Sequence, residues 1–370
     1  MKSNDVINLL EQLAPKRYAC DWDNVGLLVG RRDKEVKKIM IALDASLSVI
    51  EQAAANKADM LITHHPMIFS AIKKVDYDDI TGKKIAKLIA NDITYVAAHT
   101  NMDAAVMADI AAKKMELIDA RPLDVTYTEK MYKLAVYVPV ESADLVRSTM
   151  LNDGAGFYGN YSHCSYNIAG KGTYMPLEGT NPYKGTVNKF EVTDEIKIET
   201  LVSDSNKNRI IRHMLEVHPY EEVAYDLYEI SDSGYDIGVG KIGRIKEPVE
   251  LIECVNIVKA QFGINNLRLV GDPDKKVRFI AICPGAGKSV VKNAIKMGAD
   301  VLVTGDIDHH TALDAYEDGL CIIDAGHFCT EHFIVDYLKN HLLRCFYKDD
   351  LDNKDIEVIS AKEESPFIFL

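Results

Sequence analysis

Residues 61–66 read Leu-Ile-Thr-His-His-Pro, so His64 and His65 stand side by side where an apolar run stops. His99 and Asp103 follow the apolar run "ITYVAA" with a separation of four. His327 and Glu331 follow "LCIIDAG" with the same separation. Neutral imidazole nitrogens and carboxylate oxygens are the donors that divalent first-row metal ions take. Two residues four apart on a helical turn point the same way, about 5–6 Å between Cβ atoms. Each motif alone has a plainer reading. Adjacent histidines are commonly surface residues, "HTNMD" could be a helix start capped by Thr100 or Asn101, and "GHFCTE" a glycine turn with Thr330 or Glu331 near a helix N-terminus. Metal-type residues at all three strand ends together point to metal binding.

The elements that must hold them come in two similar sets. "KKIMIALDASLSVIEQAAANKADMLITHHP" reads as strand, helix, strand, with "ITYVAAHTNMDAA" supplying a third strand. "VRFIAICPGAGKSVVKNAIKMGADVLVTGD" repeats that order, and "LCIIDAGHFCTEHF" supplies its third strand. "ADMLITHH" aligns with "ADVLVTGD", and "YVAAHTNMD" with "IIDAGHFCTE". The expected fold class is α/β: two pseudo-repeated βαβ lobes with mainly parallel strands, their carboxyl ends forming a metal-binding core.

Residues 127–235 differ, holding 12 of the 18 tyrosines. Their order reads strand, helix, two strands, helix, strand, the βαββαβ pattern of a ferredoxin-like domain. The flanks "RPLDVTYTE" and "ISDSGYDIGVG" carry the Pro, Gly and Ser of linkers. The expected division is a discontinuous core of residues 1–125 and 235–370 around an inserted domain of residues 126–234. His163, Cys164, His213 and His218 lie in that insert but share no ligand spacing.

A net charge of −13 argues against a broad nucleic-acid surface. No run approaches the ~18 apolar residues of a membrane span. The N-terminus lacks a signal-peptide pattern and reads as an amphipathic helix with Val6, Ile7, Leu10 and Leu13 on one face. Seven cysteines without a CxxC read as reduced thiols. A cytoplasmic protein is expected.

"CPGAGKSVV" (283–291) ends like a phosphate-binding loop, but the full motif needs a glycine at 282, where isoleucine stands. Backbone N–H groups at Gly285 and Gly287 could still receive a phosphate, or the stretch could be a simple glycine turn. In "TGDIDHH", Asp306 aligns with His65 and could support a ligand by a hydrogen bond. His309 and His310 read as members of the following helix.

"WDNVGLLVG" (22–30), "ALDAS" (42–46), "THHP", "AHTNMD", "TGDIDHH" and "GHFCTE" together resemble the Nif-three-like family, the GTP cyclohydrolase 1 type 2 homologues. The resemblance covers both lobes. It implies a toroidal homohexamer with a dinuclear metal centre. Carried onto this chain, its ligands are His64, His65, Asp103, His327 and Glu331, with Glu331 bridging and His99 beside the site. The insert, with "HPYEEVAYDLYEI", is similar to CutA-like and PII-like modules. Five protein ligands leave open positions on two divalent ions, and a set without thiolate suits zinc, manganese, iron or cobalt. The chemistry implied is hydrolysis of a nucleotide or phosphorylated small molecule, a GTP cyclohydrolase-like reaction included. The alternative is a metal-binding regulatory or scaffolding hexamer whose insert senses a ligand or recruits a partner.

Overall fold

Short, mostly apolar runs form the middle of two sheets. In the first, β2 (Lys38–Ala42), β3 (Met60–Thr63) and β4 (Thr94–Ala97) pair in parallel, with Ile41 opposite Ile62 and Ile62 opposite Val96. β1 (Gly26–Val29) joins β4 antiparallel, and β15 (Glu357–Ser360) lies parallel to β2. β3 and β4 are buried along their whole length, as parallel strands covered on both faces must be. In the second sheet, β12 (Lys276–Ala286), β13 (Val301–Gly305) and β14 (Cys321–Asp324) pair in parallel. β11 (Arg268–Val270) joins β14 antiparallel, β10 (Tyr235–Glu250) joins β12 antiparallel, and β5 (Ile118–Glu129) lies beyond β10.

The computed structural model describes residues 1–231, 234–347 and 356–368. It shows a mixed α/β protein with several sheets, divided into one unit of Met1–Tyr127 with Asp236–Leu370 and another of Thr128–Tyr235. Alternation along β2 sorts the first sheet's core. Ile39 and Ile41 pack with Val6 and Leu10 of the helix Ser3–Leu13 and with Leu338, Leu342 and Phe346 of the helix Phe333–Tyr347. Met40, with Leu61 and Tyr95, packs against Val49, Ile50 and Leu88 on the other face. Each such full burial contributes about 1.5–3 kcal/mol, so the strand ends project from a rigid base. The N-terminal helix buries Val6 and Leu10, while Ile7 and Leu13 are half-buried.

Both supposed linkers need correcting. "RPLDVTYTE" belongs to β5, and "ISDSGYDIGVG" enters β10 from Tyr235, with residues 232–233 outside the described ones. Pro122 is tolerated because β5 is the last strand of its sheet, where a missing N–H breaks no ladder on the open side.

The second unit runs β6 (Met131–Pro139), helix Ala143–Asn152, β7 (Ser165–Tyr174), β8 (Glu191–Ser203), helix Lys207–Val217 and β9 (Tyr225–Glu229). Its strands are antiparallel in the order β7-β8-β6-β9, over a core that includes Val136, Met150, Ile198 and Met214. No helix among the described residues is long and apolar enough to cross a membrane.

Candidate metal centre

Four imidazoles converge in the first unit, each with Nδ1 already committed. His64, at the end of β3 and fully buried, has Nδ1 2.9 Å from the Ala98 carbonyl. A carbonyl only accepts, so Nδ1 donates and Nε2 is the nitrogen turned toward the cluster. His65 Nδ1 lies 2.9 Å from Asp44 Oδ1, His327 Nδ1 2.7 Å from Asp306 Oδ2, and His99 Nδ1 3.0 Å from Asp23 Oδ1. Asp23 also accepts from the Thr100 backbone N–H and hydroxyl. Such partners fix tautomer and ring orientation and make the outward nitrogen more basic.

The outward nitrogens meet two carboxylates. His65 Nε2 and His327 Nε2 are each 3.0 Å from Glu331 Oε2 and 3.1 Å from one another. His64 Nε2 is 3.3 Å from Asp103 Oδ1 and 3.9 Å from Glu331 Oε1. Two donor groups of metal-binding size result, His65–His327–Glu331 and His64–Asp103–Glu331, sharing Glu331. His64, His65 and His99 make a third. His64 Nε2 and Asp103 Oδ1 are buried without a hydrogen bond. Orphaned buried acceptors are costly, and a divalent cation between them satisfies both. The residues fit a metal.

Local chain geometry builds this cluster. Gly326 has φ +80° and starts the single-turn helix His327–Glu331, which places its two end residues on one side. Gly285, at φ +71°, faces Glu331 so closely that a Cβ would collide with Oε1. Asp103 opens a π-helical turn, Asp103–Met107, whose carbonyl accepts from Ala108 N–H.

Burial would depress the His65 imidazole, but hydrogen bonds to Asp44 and Glu331 outweigh it and raise the pKa to about 10. His327 follows the same balance, with Glu331 and Asp306 raising it to about 9. Burial works to raise the Asp23 carboxyl, yet His99 and Thr100 hold it down to about 2. Glu331, also opposed by burial, is held below the usual carboxylate range by His327 and His65.

The cluster opens on a cavity of about 1010 Å³ lined by Trp22, Phe69 and His99 among others. Trp22 and Phe69 are 59% and 52% exposed, with ring centroids 5.5 Å apart. The Gly285–Gly287 stretch makes room for neighbouring side chains: a Cβ on Gly287 would collide with Thr304. The loop does not offer its N–H groups to a phosphate: that of Gly285 donates to Thr330 Oγ1 at 2.9 Å and that of Gly287 to the Gly305 carbonyl at 3.3 Å. His309 and His310 open the helix His309–Glu317 and lie outside the cluster, as do His163, Cys164, His213 and His218.

The description "Duf34/NIF3 (NGG1p interacting factor 3)" matches residues 1–366. The chain belongs to the NIF3 family. A Bacillus subtilis relative named "GTP cyclohydrolase 1 type 2 homolog" is 39% identical over 100% of this chain and 99% of its own. The crystal structure of a Bacillus cereus protein related to NIF3 is 37% identical, with a TM-score of 0.90 over 100% of this chain and 99% of that one. Staphylococcus aureus protein SA1388 gives a TM-score of 0.72 at 29% identity, covering 100% and 99%.

In this NIF3-family chain the structure brings His64, His65, Asp103, His327 and Glu331 together, with His99 beside them. Asp306 supports His327 as the alignment anticipates. Reasoning from sequence missed Asp44, Asp23 and Gly285. Asp44 and Asp23 lie in "ALDAS" and "WDNVGLLVG", which carry the family resemblance without suggesting a role.

Proposed function

We propose that the centre holds two divalent ions, from among zinc, manganese, iron and cobalt, and hydrolyses a purine nucleotide or similar phosphorylated small molecule. The observation that carries this is the pair of donor groups meeting at Glu331, with the buried acceptors His64 Nε2 and Asp103 Oδ1 left bare beside it. His64 and Asp103 would hold one ion, His65 and His327 the other, with Glu331 shared between them. When bound, such a pair lowers the pKa of water and stabilises the oxygens of a displacement. The chain's own residues orient the substrate and move protons. Trp22 and Phe69 offer ring faces to a planar base. His99, its Nδ1–H held by Asp23, presents Nε2 as a proton acceptor.

The name carried by the relatives, GTP cyclohydrolase 1 type 2 homolog, makes GTP the first substrate to try. We read the two parallel sheets as pseudo-repeats and the Thr128–Tyr235 unit as a ferredoxin-like insertion, on their strand orders. The family resemblance supports a homohexamer, with a mass in solution six times the 41.3 kDa chain.

The test is elemental analysis of chain purified without chelator, alongside a screen of purine nucleotides. About two ions per chain are expected, with product formation that vanishes on chelation and in His327→Ala. Full metal loading with no nucleotide turned over would sink the hydrolase reading and leave the metal centre standing. No binding of any of the four ions would sink both.

A further inference from the structure

The second unit contains a cavity of about 660 Å³ that plays no part in the metal chemistry. Its one deeply buried charge is Glu195 on β8, 8% exposed. Tyr220 donates its hydroxyl to Glu195 Oε1 at 2.7 Å. Three lysines line the same cavity, but each is committed to another carboxylate: Lys171 to Asp194, Lys184 to Glu141 and Lys197 to Glu199. His218 behind Tyr220 is held neutral, because its Nδ1 accepts from the Tyr220 N–H while Nε2–H donates to the Tyr137 carbonyl. Among the described residues, no cation pairs with Glu195. With Glu221 and Glu222 in the lining, and Asp194, Glu141 and Glu199 on the lysines, carboxylates outnumber ammonium groups around the cavity, an acidic surplus.

The neighbouring strand accommodates this carboxylate. Gly170 of β7 stands opposite Glu195, and a Cβ on Gly172 would collide with the carboxylate itself. Aromatic walls surround it. Tyr174 and Tyr183 each have ring centroids 6.1 Å from Tyr220, inclined at 61° and 55°, so the rings form sides of a box, not a stack. Ring faces here already take ammonium groups: Lys184 Nζ lies 5.8 Å from the Tyr183 centroid, and Lys197 Nζ 5.8 Å from that of Tyr137.

A buried carboxylate met by one neutral donor is costly until a cation joins it. Electron-rich ring faces around it attract the same kind of charge, and the acidic surplus repels phosphate. We infer that this cavity binds a small organic cation with N–H donors, an alkylammonium or guanidinium compound. The charged head pairs with Glu195 and the stem lies among Tyr174, Tyr183 and Tyr220.

The experiment is calorimetric titration of the full chain at low salt with agmatine, tetramethylammonium and GMP. Agmatine is expected to bind saturably, tetramethylammonium more weakly for want of N–H donors, and GMP not to compete. Glu195→Gln should weaken agmatine at least about tenfold, the loss of a charge-assisted pair. Tyr174→Phe should keep the binding and Tyr174→Ala lose it severalfold, and this pair decides the matter should Glu195→Gln fail to fold. Glu331→Gln, which disables the metal centre, should leave agmatine binding unchanged. Absence of saturable agmatine binding overturns the inference. So does equal binding by Glu195→Gln or Tyr174→Ala, loss of binding in Glu331→Gln, or displacement of agmatine by GMP.

Discussion

The two halves of the candidate metal centre hold their imidazoles in different surroundings. On one side, His64 is wholly buried and leans on the neutral carbonyl of Ala98. On the other, His65 and His327 lean on the carboxylates of Asp44 and Asp306 and are partly exposed, their side chains at 21% and 30%. A carbonyl fixes a tautomer without adding charge, whereas a carboxylate fixes it and stabilises the imidazolium. The second half must lose protons before it accepts a cation. On the two-ion proposal, the ion at His65 and His327 is therefore expected to be the more sensitive to pH.

Glu331→Gln should break this comparison altogether. Glu331 belongs to both donor groups, so on the two-ion proposal metal content should fall from about two ions per chain to near none, as read by elemental analysis. Retention of one ion would mean that Glu331 serves one half only.

pH should separate the halves next. With His65 raised to about 10 and His327 to about 9, both are charged at pH 7 in the metal-free protein. Uptake by that half releases protons, and its affinity should rise by up to about tenfold per pH unit for each proton displaced. The same shifts carry a stability consequence. Because the folded values lie above the ordinary 6.5, the contribution is complete below about pH 6.5 and is lost as pH rises through 9 and 10. Thermal melts of chelated protein should weaken across that window while those of the loaded protein hold. A flat metal-free profile would count against the assignment.

The supporting carboxylates should show the smallest effects. Asp306→Asn and Asp44→Asn should each weaken one ion by about ten- to a hundredfold and leave the other in place. Asp23→Asn should leave metal content unchanged and lower turnover about 10²-fold if His99 Nε2 takes a proton. Competition against a metallochromic chelator, paired with initial rates, separates the two classes.

Much of this was legible in the chain because it is local. Histidines at strand ends and pairs four residues apart are signals within a few positions, and the two strand–helix–strand runs are read from the periodicity of consecutive short segments. The supports are not local. Asp44 reaches His65 from 21 residues away, and Asp23 reaches His99 from 76. No spacing encodes such meetings; only the packed sheet brings them about. Gly285 looked like part of a phosphate loop because a glycine's sequence context does not say whether its missing Cβ makes way for a ligand or for the protein's own carboxylate. The flanks of the second unit were misjudged for a similar reason. Proline and glycine mark breaks, yet Pro122 sits in an edge strand, and Gly238 of β10 lies where a Cβ would collide with the Asp124 backbone of the neighbouring strand.

The π-helical turn at Asp103–Met107 has a consequence for how the chain can change. An α-helix advances about 100° per residue, so one residue too many in a turn rephases everything after it. Here that offset lets Asp103 face the cluster while Ala111 and Met115, further along, still face the apolar core beneath the second sheet. The wide turn works as a vernier between two registers that a continuous α-helix could not satisfy together. Removing any single residue from 104–107 would let the turn close as ordinary helix. The chain would then have to surrender either the carboxylate's aim or the core's packing, so a one-residue deletion there should do more harm than most substitutions.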